Sequence, residues 1–344
     1  MATSGAVTSS PRFARFTVLG ASRCTAVFEF LCALCAVAEG ADVRTIDAGA
    51  VSCVPAVLSD AARRLSVFGG RAGMLRSLGS VLGCLITRFL RGSPIKESHR
   101  IKMPGVLSIS NGIAATREGA VLVSDYMNHC LVAVEGSRER VIGTHGTGPL
   151  EFIYPRQVWA ASDDFVFVAD AGNRRVQVLS PCLGFHGFVG DSEHLVYPVG
   201  VCADDHAVFV SDESAARISV FNRADGAFLR CFGSLNTPQG LCFVGNNSRI
   251  AVAEYGNSRI SVFHVDGTFD RFLGGGVLCW PHSIACTAFD EFVVADSGSR
   301  CVFVFNSLGE LRNKVGTYSF TGVLVHRGAI FAQSIHASEC VVYT

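Results

Sequence analysis

One short pattern recurs along the second part of the chain and constrains its fold more than any other feature. A hydrophobic run ends in an acidic residue, a Gly/Asn/Ser turn follows, and a second hydrophobic run begins, most clearly at Val166–Asp170 and Val176–Leu179. The acids stand at 125, 170, 212, 254 and 296, so the steps are 45, 42, 42 and 42 residues. A degenerate sixth copy, Ala329–Gln333, follows 37 residues after the fifth. A near-constant period of this length indicates a repeat architecture.

Each repeat contains four short runs rich in β-branched and aromatic residues and no helical pattern. Two runs flank the turn and predict a β-hairpin. A third precedes the acid, as at Pro198–Val201, and a fourth follows, as at Phe228–Gly233. Four short strands per repeat are typical of a propeller blade. The repeats follow a common order: Pro-x-Gly-hydrophobic, a strand that ends in Asp, Asn-x-Arg-hydrophobic, and then an aromatic residue and a Gly. With this pattern, residues 99–344 resemble the NHL repeat family. That resemblance implies a six-bladed β-propeller in a mainly β protein.

The sixth repeat lacks its fourth strand, because the sequence ends at Thr344 after only three runs. An unpaired blade edge would leave a row of backbone donors and acceptors open. Gly105 stands five residues ahead of the first strand of the first repeat, the spacing that Gly233 has to the fourth repeat. We therefore predict that residues 99–103 supply the missing strand and close the ring.

The first 92 residues have a different character. Residues 1–23 contain no acid and have two Arg by position 15, which predicts a disordered terminus, with a mitochondrial transit peptide as the weaker alternative. Residues 24–92 have helical spacing, and Leu31–Val51 resembles an armadillo repeat, although an ordinary helical hairpin would give the same spacing. The predicted organisation is a small armadillo-like α-helical segment followed by the propeller. An apolar run at Ala26–Ala38 is too short to span a bilayer, so we expect no membrane partner.

Charge and cysteine content narrow the class of function. Residues 1–103 carry 13 Lys/Arg and 6 Asp/Glu, a balance of +7, whereas residues 104–344 carry 16 and 23, a balance of −7. Nucleic-acid binding gains much of its free energy when basic side chains neutralise phosphates, so the acidic propeller disfavours RNA binding. The 14 cysteines are scattered, and Cys202, Cys231, Cys242, Cys286 and Cys301 are predicted to be small core residues of a reduced, cytoplasmic protein.

Two sets of residues are candidates for special roles. One set is predicted to be structural, because Asp and Asn at turns bond nearby backbone and tolerate left-handed conformations: Asp125, Asn128, Asp170, Asn173, Asp212, Glu254, Asn257 and Asp296. The other set lies in the loops of one face of the disc and carries residue types that anchor partners: Tyr126, Arg156, Tyr197, Tyr255, Trp280 and His282. For Tyr197 and Trp280, packing between blades is an equal alternative.

No nucleophile motif, phosphate loop or metal-ligand spacing occurs in the sequence, so we expect no catalytic residue, cofactor, metal or small-molecule substrate. The expected function is a non-enzymatic scaffold that binds a protein or peptide. Because five acids ring the candidate face, a basic segment in that partner is expected. The NHL resemblance implies an alternative function, which is RNA binding in post-transcriptional regulation or in association with a ubiquitin ligase. A propeller hydrolase or lyase with a metal in the channel is the second alternative.

Overall fold

The computed structural model describes residues 95–102, 110–136, 138–334 and 339–344, and the predicted disordered terminus and armadillo-like segment lie outside them. A single 3-10 turn, Ala171–Asn173, interrupts the strands of this part. Among the described residues no helix is both long and apolar enough to cross a membrane. The strands are β1 (Glu97–Lys102), β2 (Ser110–Ala115), β3 (Val121–Asp125), β4 (Cys130–Glu135), β5 (Arg138–Ile142), β6 (Thr144–His145), β7 (Glu151–Phe152), β8 (Pro155–Ala160), β9 (Val166–Asp170), β10 (Arg175–Leu179), β11 (Phe185–Val189), β12 (Pro198–Ala203), β13 (Ala207–Asp212), β14 (Arg217–Asn222), β15 (Phe228–Phe232), β16 (Pro238–Val244), β17 (Arg249–Glu254), β18 (Arg259–His264), β19 (Phe269–Leu273), β20 (Pro281–Cys286), β21 (Phe292–Asp296), β22 (Cys301–Phe305), β23 (Leu311–Val315), β24 (Phe320–His326), β25 (Ala329–Ser334) and β26 (Glu339–Tyr343).

These strands form six antiparallel four-stranded sheets and one short parallel pair, β6 with β7. Blades 1 to 5 are β2–β5, β8–β11, β12–β15, β16–β19 and β20–β23, and blade 6 contains β24–β26 with β1. The first strands of successive blades are neighbours around the disc, and β24 returns to lie beside β2. The predicted six-bladed β-propeller is confirmed.

Hydrophobic burial between blades explains why the middle strands are so uniformly apolar. All five residues of β9 and of β21 are buried, because each blade is covered on both faces by its neighbours. Six hydrophobic clusters fill the six junctions, each drawn from two adjacent blades. The outermost strands are covered less, and β15 alternates between half-buried and exposed residues.

The ring closes through β1, which pairs antiparallel with β26. Sequence reasoning placed this strand at residues 99–103, and the structure has it at Glu97–Lys102. The pairing continues past the strand ends, because Lys96 and Thr344 exchange two backbone hydrogen bonds of 3.2 and 3.1 Å. Both ends of the described propeller therefore belong to one sheet.

Nine cysteines lie among the described residues, and five of them are buried. Burial raises the pKa of the Cys202 and Cys242 thiols well above the ordinary value. The expectation that all five predicted strand cysteines belong to the core is wrong for Cys231, whereas the partly buried Cys286 packs against the core cluster between blades 4 and 5. Cys231 is exposed on the outermost strand β15, and Cys286 at the end of β20 is only partly covered.

Candidate functional site

Buried acids fix the loops on one side of the disc, the side at which each first strand begins and each second strand ends. Asp296 accepts hydrogen bonds from the backbone N–H groups of Cys279 and Trp280 at 2.7 and 3.2 Å. Asp170 accepts one from Ile153 at 2.8 Å. Blades 3 and 4 repeat the arrangement with Asp212 holding Val196 and Tyr197, and Glu254 holding Asn236. Each acid thus positions the loop that leads into the first strand of its own blade.

These acids are not available to a partner. Sequence reasoning placed a ring of acids on this surface, whereas the five side chains are at most 1% exposed. A buried carboxylate is tolerated only where hydrogen bonds or charges compensate it, and the loop N–H groups provide them. The acids therefore shape the face from beneath and contribute little charge to it.

The Asn residues that follow the acids act mainly on the acids themselves. The side-chain amides of Asn128, Asn173 and Asn257 donate to Asp125, Asp170 and Glu254 at 2.8, 2.8 and 2.7 Å. The expected left-handed conformation is taken by the residue after each Asn instead: His129, Arg174 and Ser258, with φ of 57°, 55° and 51°. The amide therefore caps the carboxylate, and its neighbour turns the chain.

Arginines stand five residues after three of the acids, at 175, 217 and 259, and two of them pair with those acids. Arg175 lies 2.9 Å from Asp170, and Arg259 lies 2.9 Å from Glu254. Arg217 instead donates to the carbonyl of His194 at 3.2 Å, because backbone N–H groups already occupy both oxygens of Asp212. Burial raises the pKa of Glu254, but hydrogen bonds from Arg259 and Ser261 outweigh burial and leave the pKa below its usual value.

Three tyrosines from neighbouring blades gather around one arginine, and we call Tyr126, Tyr154 and Tyr197 the tyrosine cluster. The rings of Tyr126 and Tyr154 stack with centroids 4.7 Å apart. The hydroxyls of Tyr126 and Tyr197 lie 3.2 Å apart. The guanidinium of Arg156 lies 4.6 Å from the Tyr126 ring centre and 5.4 Å from that of Tyr197, and it donates to the Tyr197 hydroxyl at 3.3 Å. Tyr197 thereby joins blade 3 to blades 1 and 2.

A second group, the tryptophan cluster, consists of Tyr255, Trp280 and His282. Trp280 stacks on Tyr255 with ring centroids 5.9 Å apart, and the His282 ring meets the edge of Tyr255 at 5.1 Å. Trp280 remains 50% exposed, so it stands on the surface and does not fill a junction between blades. We call the side of the disc that carries both clusters the aromatic face.

A pocket lies at the mouth of the central channel, between Arg156 and His282. Its enclosed volume is about 10 Å³, close to the space that a single water molecule needs and far below the roughly 300–1,000 Å³ of sites for drug-sized ligands. Its lining residues are Arg156, Gln157, Val199, Gln239, Gly240, His282, Ser283 and Thr321. The pocket is therefore too small to enclose a whole substrate.

Two side chains of β8 close the channel behind this pocket. The Gln157 amide oxygen accepts from the N–H groups of Val201 and Leu241 at 3.3 and 3.0 Å, and its nitrogen donates to the Leu241 carbonyl at 2.9 Å. Trp159 donates to the Ala203 carbonyl at 3.1 Å and packs into the junctions of three blade pairs. Because β8 and β16 are not neighbours in the ring, Gln157 reaches Leu241 only across the channel. Sequence reasoning missed both plugging residues.

The charges around the pocket are unequal. Among the described residues Arg156 makes no ion pair, and its enclosed Nε–H has no acceptor. Burial, and then the charge of Arg156, lower the pKa of His282 to about 4, so this imidazole is neutral at physiological pH. Burial and the hydrogen bond to Tyr197 raise the pKa of Tyr126 to about 12, which keeps its hydroxyl protonated. The pocket thus contains one fixed positive charge and neutral polar neighbours.

In the described residues, three metal-ligating side chains come together at one place, which is not the channel. Asp191, Glu193 and His194 have ligand atoms within 4.8 Å of one another on the exposed loop before blade 3. The His194 Nδ1 already shares a hydrogen bond of 2.8 Å with Asp191. This group lies in a surface turn and has no connection to the pocket lining.

Comparisons with known proteins agree with the architecture. Residues 235–263, within blade 4, match the family model of the NHL repeat. No curated protein matches the chain. A gluconolactonase from Xanthomonas campestris has a similar structure, with a TM-score of 0.61, 15% identity, and coverage of 74% of this chain and 95% of that one.

Two further solved structures are similar. Virginiamycin B lyase from Staphylococcus aureus has a TM-score of 0.55 and 12% identity, over 73% of this chain and 99% of that one. A chain of a nidogen/laminin complex has a TM-score of 0.52 and 17% identity, over 61% and 81%. Enzymes and a binding protein thus share the fold, and identities this low establish the fold alone. The described part of the chain is a six-bladed β-propeller that contains an NHL repeat.

Proposed function

We propose that the propeller is a non-enzymatic scaffold that binds a protein or peptide partner across its aromatic face. The observation that carries the proposal is the half-exposed Trp280 stacked on Tyr255, in loops that buried acids hold from beneath. Aromatic side chains bury large areas at a small cost in side-chain entropy, and such residues dominate the binding energy of interfaces. Rigid loops lower the ordering cost that a partner would otherwise impose.

The plugged channel supports a partner that lies across the face. Gln157 closes the channel beneath the pocket, so a ligand approaches from this side alone. The pocket has an enclosed volume of only about 10 Å³, which is too small for a whole ligand, so a partner would make most of its contacts on the surrounding face. We also predict that the partner contains a basic segment. This prediction rests on the net charge of −7 over residues 104–344, because the five acids are buried and provide no local attraction.

The test compares variants of the full chain as bait. Proteins retained by the wild type should be lost from the double variant Tyr255→Ala/Trp280→Ala, because each anchor contributes about 1–3 kcal/mol. The control is Asp225→Ala, in the exposed β14–β15 turn on the opposite side of the disc, and it should retain the same proteins. Partners that bind the double variant as well as the wild type would refute this assignment of the face. Retention that disappears after nuclease treatment would favour the RNA alternative.

A further inference from the structure

The guanidinium of Arg156 is the one feature of the aromatic face that the proposed scaffold role does not explain. It is partly buried between the rings of Tyr126 and Tyr197, and in the described residues no carboxylate lies within ion-pair distance of it. A buried charge without a counter-charge carries a desolvation cost that an added anion would offset. An anion bound at this site would therefore lower the electrostatic free energy of the buried guanidinium.

The hydrogen bonds of Arg156 differ from those of the other enclosed arginines. The guanidinium groups of Arg217, Arg230 and Arg271 also have an enclosed Nε–H without an acceptor, but each donates to a backbone carbonyl. Those arginines brace the fold through the carbonyls they contact. Arg156 instead donates to the phenol hydroxyl of Tyr197, which leaves most of its five donors for a ligand.

We propose that Arg156, held by the tyrosine cluster at the mouth of the plugged channel, binds a carboxylate that the bound peptide supplies. This inference rests on the proposed function, because the peptide must lie across the aromatic face. A carboxylate carries one negative charge and matches the planar guanidinium in a two-point contact. The hydroxyls of Tyr126 and Tyr197 lie beside the same position and limit its size.

The charges around the pocket favour a carboxylate over a phosphate. A phosphate monoester carries about −1.5 to −2 charges at neutral pH, and one guanidinium leaves part of that charge unpaired. His282 cannot supply a second positive charge, because it stays neutral above a pKa of about 4. A single carboxylate balances Arg156.

The experiment uses the full chain and four pools of capped hexapeptides with randomised flanks. Three pools have an amidated C-terminus and a fixed central Glu, Gln or Lys, and the fourth has a central Gln and a free C-terminal carboxylate. Binding is followed by titration with fluorescence or calorimetric detection. We expect one of the two carboxylate pools to bind the wild type about tenfold more tightly than the amidated Gln pool, the scale of one charge-assisted hydrogen bond. The preferred pool identifies a side-chain or a terminal carboxylate as the source.

Matched variants assign that preference to Arg156. In Arg156→Gln the preference should vanish while weak binding of every pool persists, and Arg312→Gln, an exposed arginine on β23 paired with Glu310, should behave as wild type. Arg156→Lys keeps the charge without the planar fork and should retain only part of the preference, so it serves if the Gln variant fails to fold. Binding without a carboxylate preference, or a preference that survives in the Arg156 variants, overturns this inference and leaves the scaffold proposal intact. Absence of binding by all pools overturns both.

Discussion

The neutral His282 makes a quantitative prediction about stability and pH. In the native protein burial and the nearby Arg156 lower its pKa to about 4, with Asp296 acting in the opposite direction, whereas the ordinary value is 6.5. Between these two values the unfolded chain binds a proton that the native protein does not. Falling pH therefore favours the unfolded state, and the native protein loses stability as the pH drops from 6.5 toward 4.

The magnitude follows from the two pKa values. Proton linkage gives a loss of about 2 kcal/mol in the free energy of unfolding between about pH 7.5 and about pH 5 from this one group. Glu254 has a lowered pKa as well, and its contribution is lost as the pH falls from the ordinary carboxyl value toward that lowered pKa, which lies mostly below this pH range and is common to both proteins compared. His129 and His326, whose pKa values burial also lowers, act in the same direction in every variant and cancel in a comparison.

Urea denaturation of the wild type and of His282→Gln, each at both pH values, measures this contribution. The wild type should lose about 2 kcal/mol more than His282→Gln on acidification, and His264→Gln, an exposed histidine at the end of β18, should follow the wild type. An unchanged pH dependence in His282→Gln would show that the imidazole is protonated in the native state. The assignment of a neutral His282 to the pocket lining would then be wrong.

Two further predictions concern the scaffold of the face. Asp296→Ala leaves two loop N–H groups without their acceptor, so the free energy of unfolding in urea should fall by about 2–4 kcal/mol. The fluorescence of Trp280 should also shift. An unchanged free energy of unfolding would contradict the supporting role of the acid. Deleting residues 1–103 removes β1 and should lower the thermal midpoint more than deleting residues 1–95, and equal midpoints would refute closure through this strand.

Local patterns were sufficient to predict the strands. A run such as Val166–Asp170 is apolar at every position because its blade is covered on both sides, and a turn residue ends it, so its identity as β9 follows from a few residues. The closing strand was placed within two residues because an open edge needs a partner. Cys231 was assigned wrongly because an outermost strand presents one side to solvent, which an apolar neighbourhood in sequence does not reveal.

The site was predictable only in part, because its contacts join distant segments. All six partner-binding candidates lie on one face, since strand pairing sets the start of each first strand against the end of the second. The bond between Tyr126 and Tyr197 connects residues 71 positions apart, and no spacing indicates it. Burial of the acids was also hidden, since an Asp at the end of a strand is mostly a surface residue and only the loop N–H groups explain its burial here.

Departures from the repeat contained more information about the site than the repeat itself. The third position of the first strand is Gly in four repeats. At Gly200 a Cβ atom would lie 2.7 Å from the Gln239 carbonyl oxygen, because neighbouring inner strands approach closely, so this position requires glycine. Gln157 occupies that position in blade 2, where the pairing of β8 with β9 is irregular, and its side chain extends across the channel to Leu241. The residue before it, Arg156, is then the one charged side chain in the pocket lining that Gln157 closes. Blade 2 therefore sets the depth of the pocket with one residue and its charge with the next, and under the proposed function we expect β8 to be the strand that most affects binding specificity.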